Sequence, residues 1–198
     1  MRASLWLAPF ALILAFPVAE SQHAGGSGGS SLAVAPKEAT QFDFLLGQWE
    51  LDVKPKAVGL AQRIHGVPKL QGTWKATRAF EGWGIEDELR IADQGGTLRA
   101  YTKSMRVYDP ATLRWNATSL DVFRSHITTG TAEFKDGSMT ALSDGRDTDG
   151  KAYRGRVRYL DITASSFKYQ QDRSYDGGKT WDDVTLTITA RRVADPSR

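Results

Sequence analysis

Gly47-Gln-Trp-Glu-Leu-Asp-Val53 decides how the chain folds. Trp49, Leu51 and Val53 alternate with Gln48, Glu50 and Asp52. A period of two is the signature of a strand with one face buried and the other wet. Immediately upstream, Phe42-Asp-Phe-Leu-Leu46 is apolar without that alternation, so a helical turn or two is expected within residues 37–46 before the first strand begins.

The same alternation recurs down the chain. Trp74, Ala76, Arg78 and Phe80 share one face of a second strand. Ile85, Asp87, Leu89 and Ile91 share one face of a third, after the break at Gly82-Trp-Gly84. Tyr101, Met105 and Val107 mark a fourth, which runs into Tyr108-Asp-Pro-Ala-Thr112, a turn with Asp and Pro where tight turns use them. Trp115 and Ala117 open a fifth. Further strands are expected around Ser125–Phe134, Met139–Leu142, Tyr153–Leu160, Phe167–Arg173 and Thr180–Arg192, about ten in all. No crossover helices separate them, so the pairing must be antiparallel. An open sheet of that width leaves two unpaired edges, and closure removes both. The chain therefore reads as all-β, an antiparallel up-and-down barrel, with a two-sheet sandwich as the competing architecture.

The chain has 198 residues, of which 40% are hydrophobic and 25% charged, enough for one domain with a real core. The net charge is only +3 and basic residues are interleaved with acids, which argues against a nucleic-acid partner. Cysteine is absent, which excludes disulfides and thiolate chemistry. Arg2 followed by the apolar run Leu5–Phe16, with small residues at Ala19 and Ser21, reads as a signal peptide over residues 1–24. The run is too short for a bilayer span of about 20 residues. A Gly/Ser-rich linker follows at 25–35, the domain proper covers 36–194, and the expected location is secreted or periplasmic, with no membrane span after signal removal.

On Phe42-Asp-Phe-Leu-Leu-Gly-Gln-Trp49, the Tyr108-Asp-Pro-Ala-Thr-Leu-Arg-Trp115 hairpin and Ser174-Tyr-Asp-Gly-Gly-Lys-Thr-Trp181, the chain resembles a set of exported bacterial lipocalin-like proteins of the calycin type, classed as a domain of unknown function. The resemblance covers about residues 41–193 and implies a lipocalin-like barrel, not an activity. Gly47 and Trp49 match the glycine-x-tryptophan signature of the first strand. In such barrels that tryptophan packs beneath an arginine of a late strand, a role the resemblance gives to Arg191 or its neighbour Arg192, with Arg191 preferred. A guanidinium on an indole is worth roughly 0.5–2 kcal/mol. Some barrels of this kind bind haem through one strand histidine, for which His126 is the single analogue here.

Residues 174–181 also fit an Asp-box. Asp176 can accept backbone N–H groups, Gly178 permits positive φ, and Trp181 follows, a set that shapes a hairpin rather than doing chemistry. His65 and His126 form no ligand-spaced pair, so neither a metal nor a cofactor is expected. Arg154, Arg156 and Arg158 share a face read as solvated. The informative positions are polar residues on otherwise apolar faces. Arg78 and Asp87 are expected either to pair as a strut between adjacent strands, or to serve a ligand. In the second case Arg78, Arg173 and Tyr169 would clamp an anionic head while Trp74, Met105 and Trp115 hold an apolar tail. The expected function is thus an exported binder of a small, mainly apolar molecule, with no catalytic set named. The alternatives are a small-barrel enzyme using Asp87 with Arg78, and an envelope interaction protein with a filled barrel.

Overall fold

The computed structural model describes residues 34–147 and 149–194. The expected signal peptide (1–24), and all but the last two residues of the expected linker (25–35), lie outside the described residues. Two short 3-10 turns, Lys37–Thr40 and Asp43–Leu45, precede ten strands: β1 Gly47–Pro55, β2 Leu70–Ala79, β3 Gly84–Asp93, β4 Leu98–Asp109, β5 Arg114–Asp121, β6 His126–Lys135, β7 Ser138–Arg146, β8 Ala152–Leu160, β9 Ser166–Ser174 and β10 Asp182–Arg192. Each strand pairs antiparallel with its sequence neighbours, and β1 pairs with β10 to close the barrel. A short helix not foreseen in the sequence, α1 Leu60–His65, crosses between β1 and β2 and leaves Leu60 and Ile64 exposed.

Closure is made by a ladder running from Trp49 opposite Arg192 to Pro55 opposite Leu186. The Trp49 side chain is fully buried and donates its indole N–H to the Leu45 carbonyl at 2.8 Å. Above it lies a guanidinium, 4.1 Å from the ring centroid, and it belongs to Arg192, not Arg191. The alternation explains the correction. Residues opposite each other on paired strands share a face, so Trp49 shares its face with Arg192, whereas Arg191 is paired with Glu50 and points outward. Arg192 also donates to the carbonyls of Leu46 (2.6 Å), Phe44 (3.3 Å) and Ala164 (2.6 Å), so one side chain joins the N-terminal turns, the first strand and the β8–β9 loop. Gly47 makes room for it. Its φ is +103°, and a Cβ there would stand 2.6 Å from Arg192 Nη1. The two 3-10 turns and the link between them plug this end of the barrel with Ala39, Phe42 and Leu45, all buried.

A second brace lies outside the barrel on β8–β10. Asp172 is fully buried although it faces outward, and it accepts from Arg156 Nε (2.8 Å), Arg158 Nη2 (3.1 Å) and the Val184 N–H (2.8 Å). Val184 has φ +57° within the irregularity that shifts the β9–β10 register, a costly conformation for a β-branched residue, and its bond to Asp172 holds it there. Arg156 in turn stacks on Trp181 at 4.2 Å, so Arg156 and Arg158 are pinned rather than merely solvated. The turn that delivers Trp181 is folded around Asp176, which accepts the Thr180 hydroxyl (2.6 Å), the Thr180 N–H (2.9 Å), the Lys179 N–H (3.0 Å) and the Ser174 hydroxyl (2.7 Å). Gly178 takes φ +97° in that turn.

Burial alone would raise the Asp172 carboxyl, but the Val184 N–H and the two arginines outweigh it and hold it below the ordinary value. The Thr180 hydroxyl and N–H, then Ser174, lower Asp176 further. Carboxyls depressed by folding stabilise the native state above the unfolded value of about 4 and lose that contribution as pH falls through the folded values. The urea midpoint is therefore expected to fall on acidification below about pH 4, and Asp172→Asn, costing about 2–3 kcal/mol at neutral pH, to flatten that fall. At the closed end, Arg192→Ala is expected to cost about 1–2 kcal/mol in urea unfolding and Arg191→Ala less than about 0.5. Equal losses would place the closing contact wrongly.

Candidate functional site

The barrel interior is filled unevenly. β1, β2, β8, β9 and β10 send in large side chains, among them Trp49, Leu51, Trp74, Tyr159, Phe167, Tyr169 and Ile188. Opposite them, β5 to β7 send in Ala117, Ser119, Thr128, Gly130, Ala132, Ala141 and Ser143. Small residues facing large ones leave a hollow, and it measures about 240 Å³. One wall is aromatic, formed by Trp74, Tyr153, Tyr159 and Tyr169, and the other carries the hydroxyls of Thr102, Ser104, Ser119, Thr128 and Ser143.

A buried polar network closes the bottom. Asp87 accepts the Trp74 indole N–H at 2.8 Å through Oδ1 and forms an ion pair with Arg106 through Oδ2. The Arg106 guanidinium lies over the Phe42 ring at 5.3 Å, which seats the network on the N-terminal plug. Burial pushes the Tyr159 hydroxyl up despite the pull of the neighbouring Arg106 guanidinium. Burial, then the adjacent Tyr159, pushes Tyr169 up as well, so both phenols are neutral donors at ordinary pH. The two rings meet edge-on at 5.4 Å. On the hydroxyl wall Ser119 donates to Ser104 at 2.9 Å.

The opposite end of the hollow is lined by Tyr153 and Gln171. Tyr153 lies across β7, where a Cβ on Gly145 would come within 2.7 Å of its ring, so only glycine leaves space for the ring there. On the ring stacks Arg173, 4.5 Å from its centroid.

Of the residues singled out from sequence, Trp74, Asp87 and Tyr169 line the hollow; Arg173 does not line it but stacks on Tyr153, which does. Trp115 does not line it. It is buried in the plugged end, edge-on to Phe42 at 4.8 Å, donating to Gln41 at 3.0 Å. Met105 points the other way: it is 48% exposed, on an outer groove with Leu120 and Ile127. The inward face of β4 is Thr102, Ser104 and Arg106, because Asp87 stands opposite Ser104 and needs the cation two residues on. A one-residue difference in face assignment moves every side chain of a strand. Arg78 is not the partner of Asp87 either. It reaches down to the plug, where it donates to the Ala39 carbonyl (3.0 Å) and pairs with Asp43. With both Asp87 oxygens engaged, the pairing of Asp87 with Arg78 in a catalytic role loses its geometry.

Sequence reasoning missed Arg106, Tyr159, Tyr153, Gln171 and the serines. A signal for Arg106 existed: counting outward from the Gly95-Gly96 turn pairs Asp87 with Ser104, which puts Arg106 inside once Asp87 is inside. Both remaining histidines are exposed, His65 on α1 and His126 at the first residue of β6. Among the described residues no three His, Asp or Glu side chains gather as metal ligands would.

No protein-family model and no curated protein matches the chain. Among solved structures it is similar to the S-type phycobiliprotein lyase CPES from Guillardia theta, with a TM-score of 0.50 and 12% identity over 80% of this chain and 96% of that one. At that identity the likeness is one of fold, and together with the closed ten-strand ladder it defines a lipocalin-like barrel.

Removing one member of a buried ion pair strands the other charge, at about 3–5 kcal/mol, whereas replacing both with apolar groups costs far less. Arg106→Met is accordingly expected to destabilise the barrel by that amount in urea unfolding, and Asp87→Leu combined with Arg106→Met to recover most of it. A double variant no better than the single one would mean that the pair does more than balance charge.

Proposed function

We propose that this protein is a small-molecule-binding barrel whose ligand occupies the internal hollow and is compact and amphipathic. The observation that carries the reading is the hollow itself: about 240 Å³ between an aromatic wall and a hydroxyl wall. That is the room of about eight water molecules, and it lies just below the usual range of ligand cavities, about 300–1,000 Å³. A long apolar chain does not fit it, so the expectation of a mainly apolar occupant gives way to one with a ring or short chain on the tyrosines and polar groups on the serines and threonines. Binding rather than turnover is favoured because Asp87, the one acid lining the hollow, already holds the Trp74 indole N–H and is ion-paired with Arg106. The signal-like residues 1–24 and the resemblance of the three motifs to exported lipocalin-like proteins support a secreted or periplasmic setting.

Native mass spectrometry of the purified chain is expected to show a co-purified adduct or uptake of small ring compounds. Ala117→Leu with Ala141→Leu fills the hollow from the small-residue wall and is expected to abolish uptake while leaving the thermal midpoint within a few degrees. Uptake unchanged in that variant would move the site out of the barrel.

A further inference from the structure

Among the inward-facing arginines, Arg106 and Arg173 differ in their surroundings. Arg106 is charge-balanced by its ion pair with Asp87 and lies by the Tyr159 hydroxyl and the face of Phe42, although its Nη1, like the Nε of Arg173, makes no regular hydrogen bond. Arg173 continues the inward face of β9 that carries Phe167, Tyr169 and Gln171, and it is half-buried, yet it makes no ion pair among the described residues and its buried Nε has no hydrogen-bond partner. Its one contact of note is the Tyr153 ring.

Nearby acids do not serve it, because each is engaged elsewhere. Asp172 is held by Arg156 and Arg158 on the outside, and Asp176 by its own turn. Asp182, although opposite Arg173 in the ladder, pairs with Lys56, and Asp183 pairs with Arg156. A half-buried guanidinium with a buried, unbonded N–H is costly unless something supplies an acceptor. Beyond Tyr153, Tyr175 follows at 6.2 Å, and Lys151 lies over Tyr175 at 4.3 Å, so a second cation stands on the far side of the same aromatic pair. Cations gathered on one side of a site raise the local concentration of anions.

We infer that Arg173 binds a carboxylate of the ligand at the mouth of the hollow, so that the occupant is a small monoanionic organic acid with its ring or short chain directed inward. The inference rests on the proposed binding function and deepens it. A carboxylate suits a single planar guanidinium fork, whereas a phosphate dianion would call for several donors that this mouth does not gather. Gln171 and the neutral Tyr169 phenol are the donors next along the same strand.

The test is calorimetric titration of the full chain at pH 7 with benzoate and with benzamide, which share a ring and differ in charge. Benzoate is expected to bind about tenfold tighter than benzamide, Arg173→Gln to bring the two within about twofold of each other, and Arg173→Lys to restore part of the difference. Equal binding of the two probes to the wild-type chain would overturn the carboxylate assignment and leave the binding reading standing. Binding of neither would overturn both. A benzoate preference that survives Arg173→Gln would move the anion site to another cation; if that variant does not fold, Arg173→Lys decides, a preference undiminished there overturning the assignment to the Arg173 fork.

Discussion

Closure of the sheet is the constraint on which everything else depends, and the contact that secures it is Arg192 on Trp49. The guanidinium covers the indole, bonds the carbonyls of Phe44 and Leu46, and reaches Ala164, so the start of the barrel, its end and its plug share one anchor. Closing the sheet leaves no unpaired edge, which matters in a chain without cysteines to staple it. It also gives the barrel an inside, and the character of that inside follows from which strands send in indoles and phenols and which send in methyls and hydroxyls.

The charged pair within that interior is an unusual investment. A buried ion pair seldom adds net stability over apolar packing, and its retention has to be explained by what it positions. Here Asp87 fixes the Trp74 ring through its N–H, and Arg106 ties β4 to Phe42 of the plug. The aromatic wall and the floor of the hollow are thereby held in one arrangement. The outward Asp172 cluster does the corresponding work on the far side, holding the irregular start of β10 and the Trp181 turn against β8.

Alternation made the fold legible. The Trp49-Leu51-Val53 pattern, the count of strands and the absence of crossover helices lead to an antiparallel sheet, for which the edge argument favours closure over a sandwich, and the structure is the closed barrel. The site was half legible. Asp87 and Trp74 stand out as a polar and a large residue on one inward face, but the partner of Asp87 could not be named by adjacency, since Arg78 and Arg106 flank it on either side in the sheet order. β4 misled because its outer face carries Tyr101, Met105 and Val107 while its inner face carries Ser104 and Arg106, an inversion of the usual pattern that a buried charge requires. Trp115 misled for another reason: its strand and face were right, but depth along the barrel axis is set by stagger, which alternation does not encode.

The order of the strands carries a temporal consequence. Nine of the ten ladders join segments consecutive along the backbone, and each can zip from its own turn, whereas the tenth brings residue 49 to residue 192. Loop-closure entropy and contact order make that last pairing the slow step. A nascent chain can thus assemble a growing ribbon but cannot lock it until its final strand has emerged, and the interior stays accessible until then.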